Sequence, residues 1–191
     1  MTRAGAGRRM LSAGVLVPVA GNGVEDQGGV PIPLAGFDYA LGERHYVGGG
    51  IAWLPRAPTL GLAGEENSAL VFNPRWEHEV LPELSVTADL IWAQVLGSDN
   101  DDLYPSMLPR LSITGGARYY LAVGSGGFVL SQQLGLSLNS VVLPGSLAID
   151  LPIPLGEETA LHLFPEVRWD VIVAGTSGAL VSAGGTLMLD F

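Results

Sequence analysis

The chain has 191 residues, enough for one domain or one small barrel. Its formal net charge is −10, from 9 Lys+Arg against 19 Asp+Glu, which argues against nucleic acid as a partner. With no cysteine, disulfides, thiolate metal sites and Cys nucleophiles are excluded.

Hydrophobic residues make up 48% of the chain and charged residues 15%, with 27 Gly and 13 Pro and a mean hydropathy of +0.36. No run approaches the roughly 18 apolar residues of a transmembrane helix. High hydropathy without such a run fits strands whose apolar residues occupy alternate positions facing lipid. A soluble all-β domain rich in apolar side chains is the alternative.

Alternating runs separated by Gly/Pro/Asn/Asp clusters predict ten strands. The first covers residues 9–19. Arg3, Arg8 and Arg9 before MLSAGVLVPVA look like the opening of a secretory signal, but a cut after Ala20 would put Pro18 where a small residue is wanted. The same segment alternates as a strand, with Leu11, Ala13, Val15, Val17 and Val19 on one face. Residues 1–8 are then a short tail, and the true signal peptide is expected to be missing from this sequence.

The second strand is expected at 30–41 and, after LGER, the third at 45–54. The long connection PRAPTLGLAGEENS leads to the fourth at 69–80, and LPEL turns into the fifth at 84–96. Within the fourth, Leu70, Phe72, Pro74, Trp76 and His78 share one face, and Asn73, Arg75, Glu77 and Glu79 the other. That period of two excludes a helix. The acidic loop GSDNDDLYPSMLP precedes the sixth at 110–122, and VGSGG the seventh at 127–138. SVVLPG is read as the connection to the eighth at 146–155, Gly-Glu-Glu leads to the ninth at 159–172, and AGTSG to the tenth. Eight strands is the alternative if the second or the eighth, with its prolines, is irregular.

The tenth strand, ALVSAGGTLMLDF, sets Val181, Ala183, Gly185, Leu187, Leu189 and Phe191 on one face and Ser182, Gly184, Thr186, Met188 and Asp190 on the other. This resembles the closing strand of bacterial outer-membrane β-barrel proteins, whose C-terminal Phe and alternating apolar residues are read by the barrel-insertion machinery. Leu189 departs from the resemblance, standing where an aromatic is common. The resemblance implies an all-β, antiparallel, up-and-down transmembrane barrel spanning residues 1–191, in the bacterial outer membrane. Such barrels have short periplasmic turns, longer outer loops and an even strand number, which ten satisfies.

With the N-terminus periplasmic, Trp53, Trp92 and Trp169 fall near the outer strand ends. Trp76, Tyr119, Phe128 and Phe191 fall near the inner ends. Two aromatic girdles are expected at the two interfaces. His78, on the lipid face near the membrane boundary, and His45, near a turn, are expected to be interfacial.

The inward faces hold Arg75, Glu77, Glu79, Asp89, Arg118, Asp150, His162, Glu166, Arg168 and Asp170. These are expected to pair across a narrow lumen as a structural ion-pair plug; a solute or proton path is the functional alternative. His162 and Glu166, four residues apart on one strand, stand about 13 Å apart. A hydrolytic role would need a partner from a neighbouring strand, with Asp150 or Ser182 the candidates.

The outer loops carry Glu25, Asp26, Glu65, Glu66, Asp99, Asp101 and Asp102. S-D-N-D-D has the oxygen donors of a loose Ca²⁺ or Mg²⁺ loop but lacks EF-hand spacing. A solvated acidic loop is expected, with no cofactor, no metal site and no catalytic residue. The expected partners are outer-membrane lipid and lipopolysaccharide, the barrel-insertion machinery through the C-terminal strand, and other envelope proteins. The expected role is a non-enzymatic structural or interaction barrel. A narrow pore for small solutes and a lipid- or peptide-directed hydrolase are the alternatives.

Overall fold

The computed structural model describes residues 7–21, 29–55, 68–96, 111–137, 140–173 and 178–191. They form ten strands: β1 (Arg9–Gly21), β2 (Ile32–Ala40), β3 (His45–Leu54), β4 (Ser68–Leu81), β5 (Leu84–Leu96), β6 (Leu111–Val123), β7 (Gly126–Ser137), β8 (Val141–Pro154), β9 (Ala160–Val173) and β10 (Gly178–Asp190). Each pairs antiparallel with its sequence neighbours, and β1 pairs with β10 to close a barrel. The eight-strand alternative is overturned.

The start of β1 and the end of β10 lie at the same end of the barrel, where Arg9 and Phe191 exchange two backbone hydrogen bonds of 2.9 and 3.0 Å. The turns at 41–44, 82–83, 124–125 and 155–159 lie at that end too. It is called the short-turn end below, and the opposite one the long-loop end.

Strand bounds follow the alternation closely except at β8, which starts at Val141 rather than at 146. Pro144-Gly145 marks a turn in most chains, but here both residues lie in the ladder. Pro144 pairs with Asp170 of β9, while no β7 residue is paired with it. A strand residue points its N–H and C=O to the same neighbour, so the missing donor of Pro144 falls on the β7 side. Gln132 repairs the gap. Its Nε2 donates to the backbone oxygens of Gln133 and Pro144 at 3.1 and 3.2 Å, and Gln133 is the residue the register sets opposite Pro144.

Alternation sorts the strands as their sequences predict. Outward residues are large and apolar, among them Leu11, Val15, Ile51, Leu90, Ile113, Leu134, Leu136, Leu147 and Leu163. Inward residues divide by height. Near the long-loop end, Leu16, Ile32, Leu54 and Ala69 of β1–β4 form a buried apolar cluster with Leu34, Ala52 and Val71. Elsewhere the interior is largely polar, with Glu77, Thr87, Asp89, Thr114, Ser131, Asp150, His162, Glu166 and Asp190 buried beside a few apolar residues such as Met10, Val142 and Met188. An inward polar group out of water costs free energy unless it is paired. The pairing of these groups is therefore the organising feature of the lumen.

Candidate functional site

The polar lumen is built from contacts that skip a strand. Asp38 of β2 and Arg75 of β4 are both paired to Gly48 of β3. Because Gly48 has no side chain, the Arg75 guanidinium reaches over β3 and donates from Nη2 to Asp38 Oδ1 and Oδ2 at 2.6 and 2.7 Å. A Cβ at Gly48 would overlap the Asp38 carboxylate and the backbone oxygen of Phe37.

The same device recurs twice. Gln133 of β7 lies opposite Gly116 of β6, which lies opposite Thr87 of β5. The Gln133 amide crosses over Gly116, donating to Thr87 Oγ1 at 3.1 Å and to the Asp89 carboxylate. Its oxygen accepts from Thr114 Oγ1 at 3.0 Å. Near the short-turn end, Gly127 of β7 pairs with Asp150 of β8 and with Ala122 of β6. Tyr120 Oη passes beside Gly127 to stand 3.5 Å from Asp150 Oδ2.

Further ion pairs line the wall. Arg118 of β6 donates to Glu77 of β4 at 2.7 Å, reaching past β5. Glu166 of β9 accepts from Arg168 of its own strand at 2.8 and 3.1 Å and from Thr186 of β10 at 2.6 Å. Where the barrel closes, Arg8 approaches Asp190 at 3.4 Å. Pairing across the lumen, as expected from sequence, is thus corrected: the partners sit on the same wall, on one strand or one or two strands apart. Side chains spanning two strand spacings of about 4.8 Å need no crossing of the bore.

His162 is 2% exposed and its Nδ1 lies 2.7 Å from Asp150 Oδ1, while its Nε2 is buried with no hydrogen-bond partner. Of the two candidate partners, the register selects Asp150. Ser182 pairs with Arg168, while His162 pairs with Met188. Six residues of strand separate Ser182 from His162, about 20 Å at the usual rise. The dyad therefore has no hydroxyl nucleophile at Ser182.

Of the remaining inward residues, Glu79 is buried opposite Ser85, and Asp170 is exposed in the long-loop half. Asp38, Tyr120, Gln133 and Thr186 are members of the network that the sequence analysis did not single out. All four carry the inward parity of their strands. The signal lay in that parity, but neutral residues and a lone Asp do not stand out by charge.

No protein-family profile matches this chain, and no curated protein matches it. Among solved structures, the chain is similar to the translocator domain of autotransporter NalP from Neisseria meningitidis. The alignment has 12% sequence identity and a TM-score of 0.48, covering 100% of this chain and 90% of that chain. That likeness assigns no activity to this chain.

On the outer wall, Trp53, Trp92 and Trp169 stand toward the long-loop end, with Trp92 stacked on Phe72 at 5.5 Å. Trp76, Tyr119, Phe128 and Phe191 stand toward the short-turn end, and all four are exposed. Trp169 lies over Gly145 and donates from Nε1 to Gln132 Oε1 at 3.2 Å. The acidic-loop residues Glu25, Asp26, Glu65, Glu66, Asp99, Asp101 and Asp102 lie outside the described residues. Among the described residues, no group of three or more His, Asp or Glu is placed to hold a metal ion.

Proposed function

We propose that this barrel resides in the bacterial outer membrane as a non-enzymatic structural or interaction component, a subunit of a larger envelope assembly. The observation that carries the membrane reading is the outward wall. Ile113 and Leu136 are each 66% exposed and Leu134 57%, within a face that carries at least one exposed large apolar side chain on every strand, Phe37 on β2 among them. A contiguous apolar face of this extent is costly in water and favourable in lipid. A closed barrel also leaves no unpaired strand edge in the hydrocarbon layer.

The structural role draws on the lumen. Arg75, Glu77, Arg118 and Glu166 are tied to wall partners, and an apolar cluster fills the β1–β4 side near the long-loop end. Groups held this way support the barrel and leave its outer surface and loops to meet partners. The expected partners are lipid and lipopolysaccharide, the insertion machinery and other envelope proteins.

The test is mild-detergent extraction of the native envelope, followed by sizing and mass-spectrometric composition of the particle containing this chain. The reading expects recovery with the envelope in a particle well above the 19.9 kDa of one chain plus detergent, with reproducible companions. A lone barrel would end the assembly reading, and recovery in the soluble fraction would end the membrane reading.

A narrow pore is the second reading, favoured by Arg168, whose side chain keeps 42% exposure on the inward face. It predicts discrete conductance steps in a planar bilayer that change when Arg118 or Glu77 is neutralised. The structural reading predicts none.

A further inference from the structure

His45 and His78 stand opposite each other on β3 and β4, on the outer wall at the short-turn end. The next pair along the ladder is Arg44 and Glu79, where the Glu79 N–H donates to the Arg44 carbonyl at 2.9 Å. Hydrogen-bonded and non-hydrogen-bonded pairs alternate along antiparallel strands, so His45–His78 is of the second kind. Such pairs have Cα atoms about 4.5 Å apart and side chains at their closest.

The two imidazoles are stacked with centroids 4.4 Å apart and planes inclined by 28°. Trp76 flanks them, its ring 6.3 Å from His45 and 6.0 Å from His78. Nδ1 of His78 is buried and has no hydrogen-bond partner. Two imidazoles therefore sit side by side on one ladder, with at least one ring nitrogen unsatisfied.

We propose that His45 and His78 form a two-nitrogen clip for a divalent transition-metal ion, with water completing the coordination. Two metal–nitrogen bonds of about 2.0–2.1 Å at a near-tetrahedral angle place the nitrogens roughly 3.3 Å apart. Rings already stacked reach that separation by turning about their side-chain torsions, with no backbone movement. Imidazole suits Zn²⁺, Ni²⁺ and Cu²⁺, and Cu²⁺ binds such donors most tightly. His45 is exposed, which leaves room for water ligands. This inference is independent of the assembly reading, since it needs only the β3–β4 ladder.

The experiment titrates CuCl₂ into the full chain in detergent micelles, following heat by calorimetry and tryptophan fluorescence in parallel. The clip predicts saturable one-to-one binding with quenching of the adjacent Trp76. His45→Gln and His78→Gln should each weaken binding by at least roughly tenfold, and the double substitution should do little more than either alone, because one lost ligand already opens the clip. Both side chains lie on the outer wall, and a far-UV spectrum checks that each variant remains a barrel; if one misfolds, the other carries the test. Wild type that binds no Cu²⁺, or a double variant that binds and quenches like wild type, overturns the proposal.

Discussion

Arg75 and Asp38 meet at 2.6 Å over the backbone of a strand that belongs to neither. Gly48 is what lets them. The pair satisfies two inward charges at once, and it ties β2 to β4 in addition to the ladders each makes with β3.

Substitution of Gly48 by Val should therefore cost more than a change of strand propensity. The new side chain would occupy the space of the Asp38 carboxylate. Overpacking of this kind costs about 1–3 kcal/mol, with loss of the ion pair in addition. Arg75→Ala and Asp38→Ala, with the double variant, should show a coupling of about 0.5–3 kcal/mol. Denaturant unfolding of the refolded barrel in micelles measures both. A Gly48→Val barrel as stable as wild type would remove the strand-skipping pair from the account of stability.

Gln132 offers a test in the opposite direction to simple hydropathy. It is polar and exposed on a largely apolar wall, so Gln132→Leu makes that wall more uniform. It should nevertheless destabilise by about 1–3 kcal/mol, because the Gln133 carbonyl and the Trp169 indole N–H lose their partner. In a Pro144→Val background the strand regains its own donor, and the same Gln132→Leu change should cost less. Equal costs in the two backgrounds would show that the amide is not filling the proline gap.

The buried Asp150–His162 pair should be sensitive to removal of one member and tolerant of removal of both. His162→Ala leaves a carboxylate that is 1% exposed without its closest partner, a change worth about 3–5 kcal/mol. The double variant Asp150→Leu/His162→Leu should recover a large part of that loss. Unfolding midpoints of the three variants decide it. If the double variant is as damaged as the sum of the singles, the pair does not act as a unit.

Leu134 tests the solvent of the outer wall. It lies outward near the middle of β7 and is 57% exposed. In a bilayer, Leu134→Arg should cost about 2–4 kcal/mol. In a water-soluble barrel an exposed Leu→Arg change would stay within about 0.5 kcal/mol. Folding titrations into lipid vesicles give the value directly.

Much of this architecture is written in single strands. The period-two sorting of Leu70, Phe72, Trp76 and His78 against Asn73, Arg75, Glu77 and Glu79 needs no partner to be legible. The same holds for β10, and inward parity alone picks out the charged residues of β4 and β9. Turn residues such as Gly124 marked the hairpin ends, because turn geometry is also local. Pro144 misled the reading of β8 for a physical reason: its ring forbids a donor, and the remedy, Gln132, lies on the adjacent strand.

Ring closure decided ten strands over eight; the sequence by itself determined the all-β alternation, the side each residue faces and the split between an apolar outer wall and a charged interior. Those properties follow from alternation within each strand. Only the tertiary structure decided who meets whom. That Gly48 falls between Asp38 and Arg75, Gly116 between Gln133 and Thr87, and Asp150 rather than Ser182 beside His162 depends on the stagger of ten strands around a closed ring. Closure couples every register to every other, and no single segment of the chain encodes it.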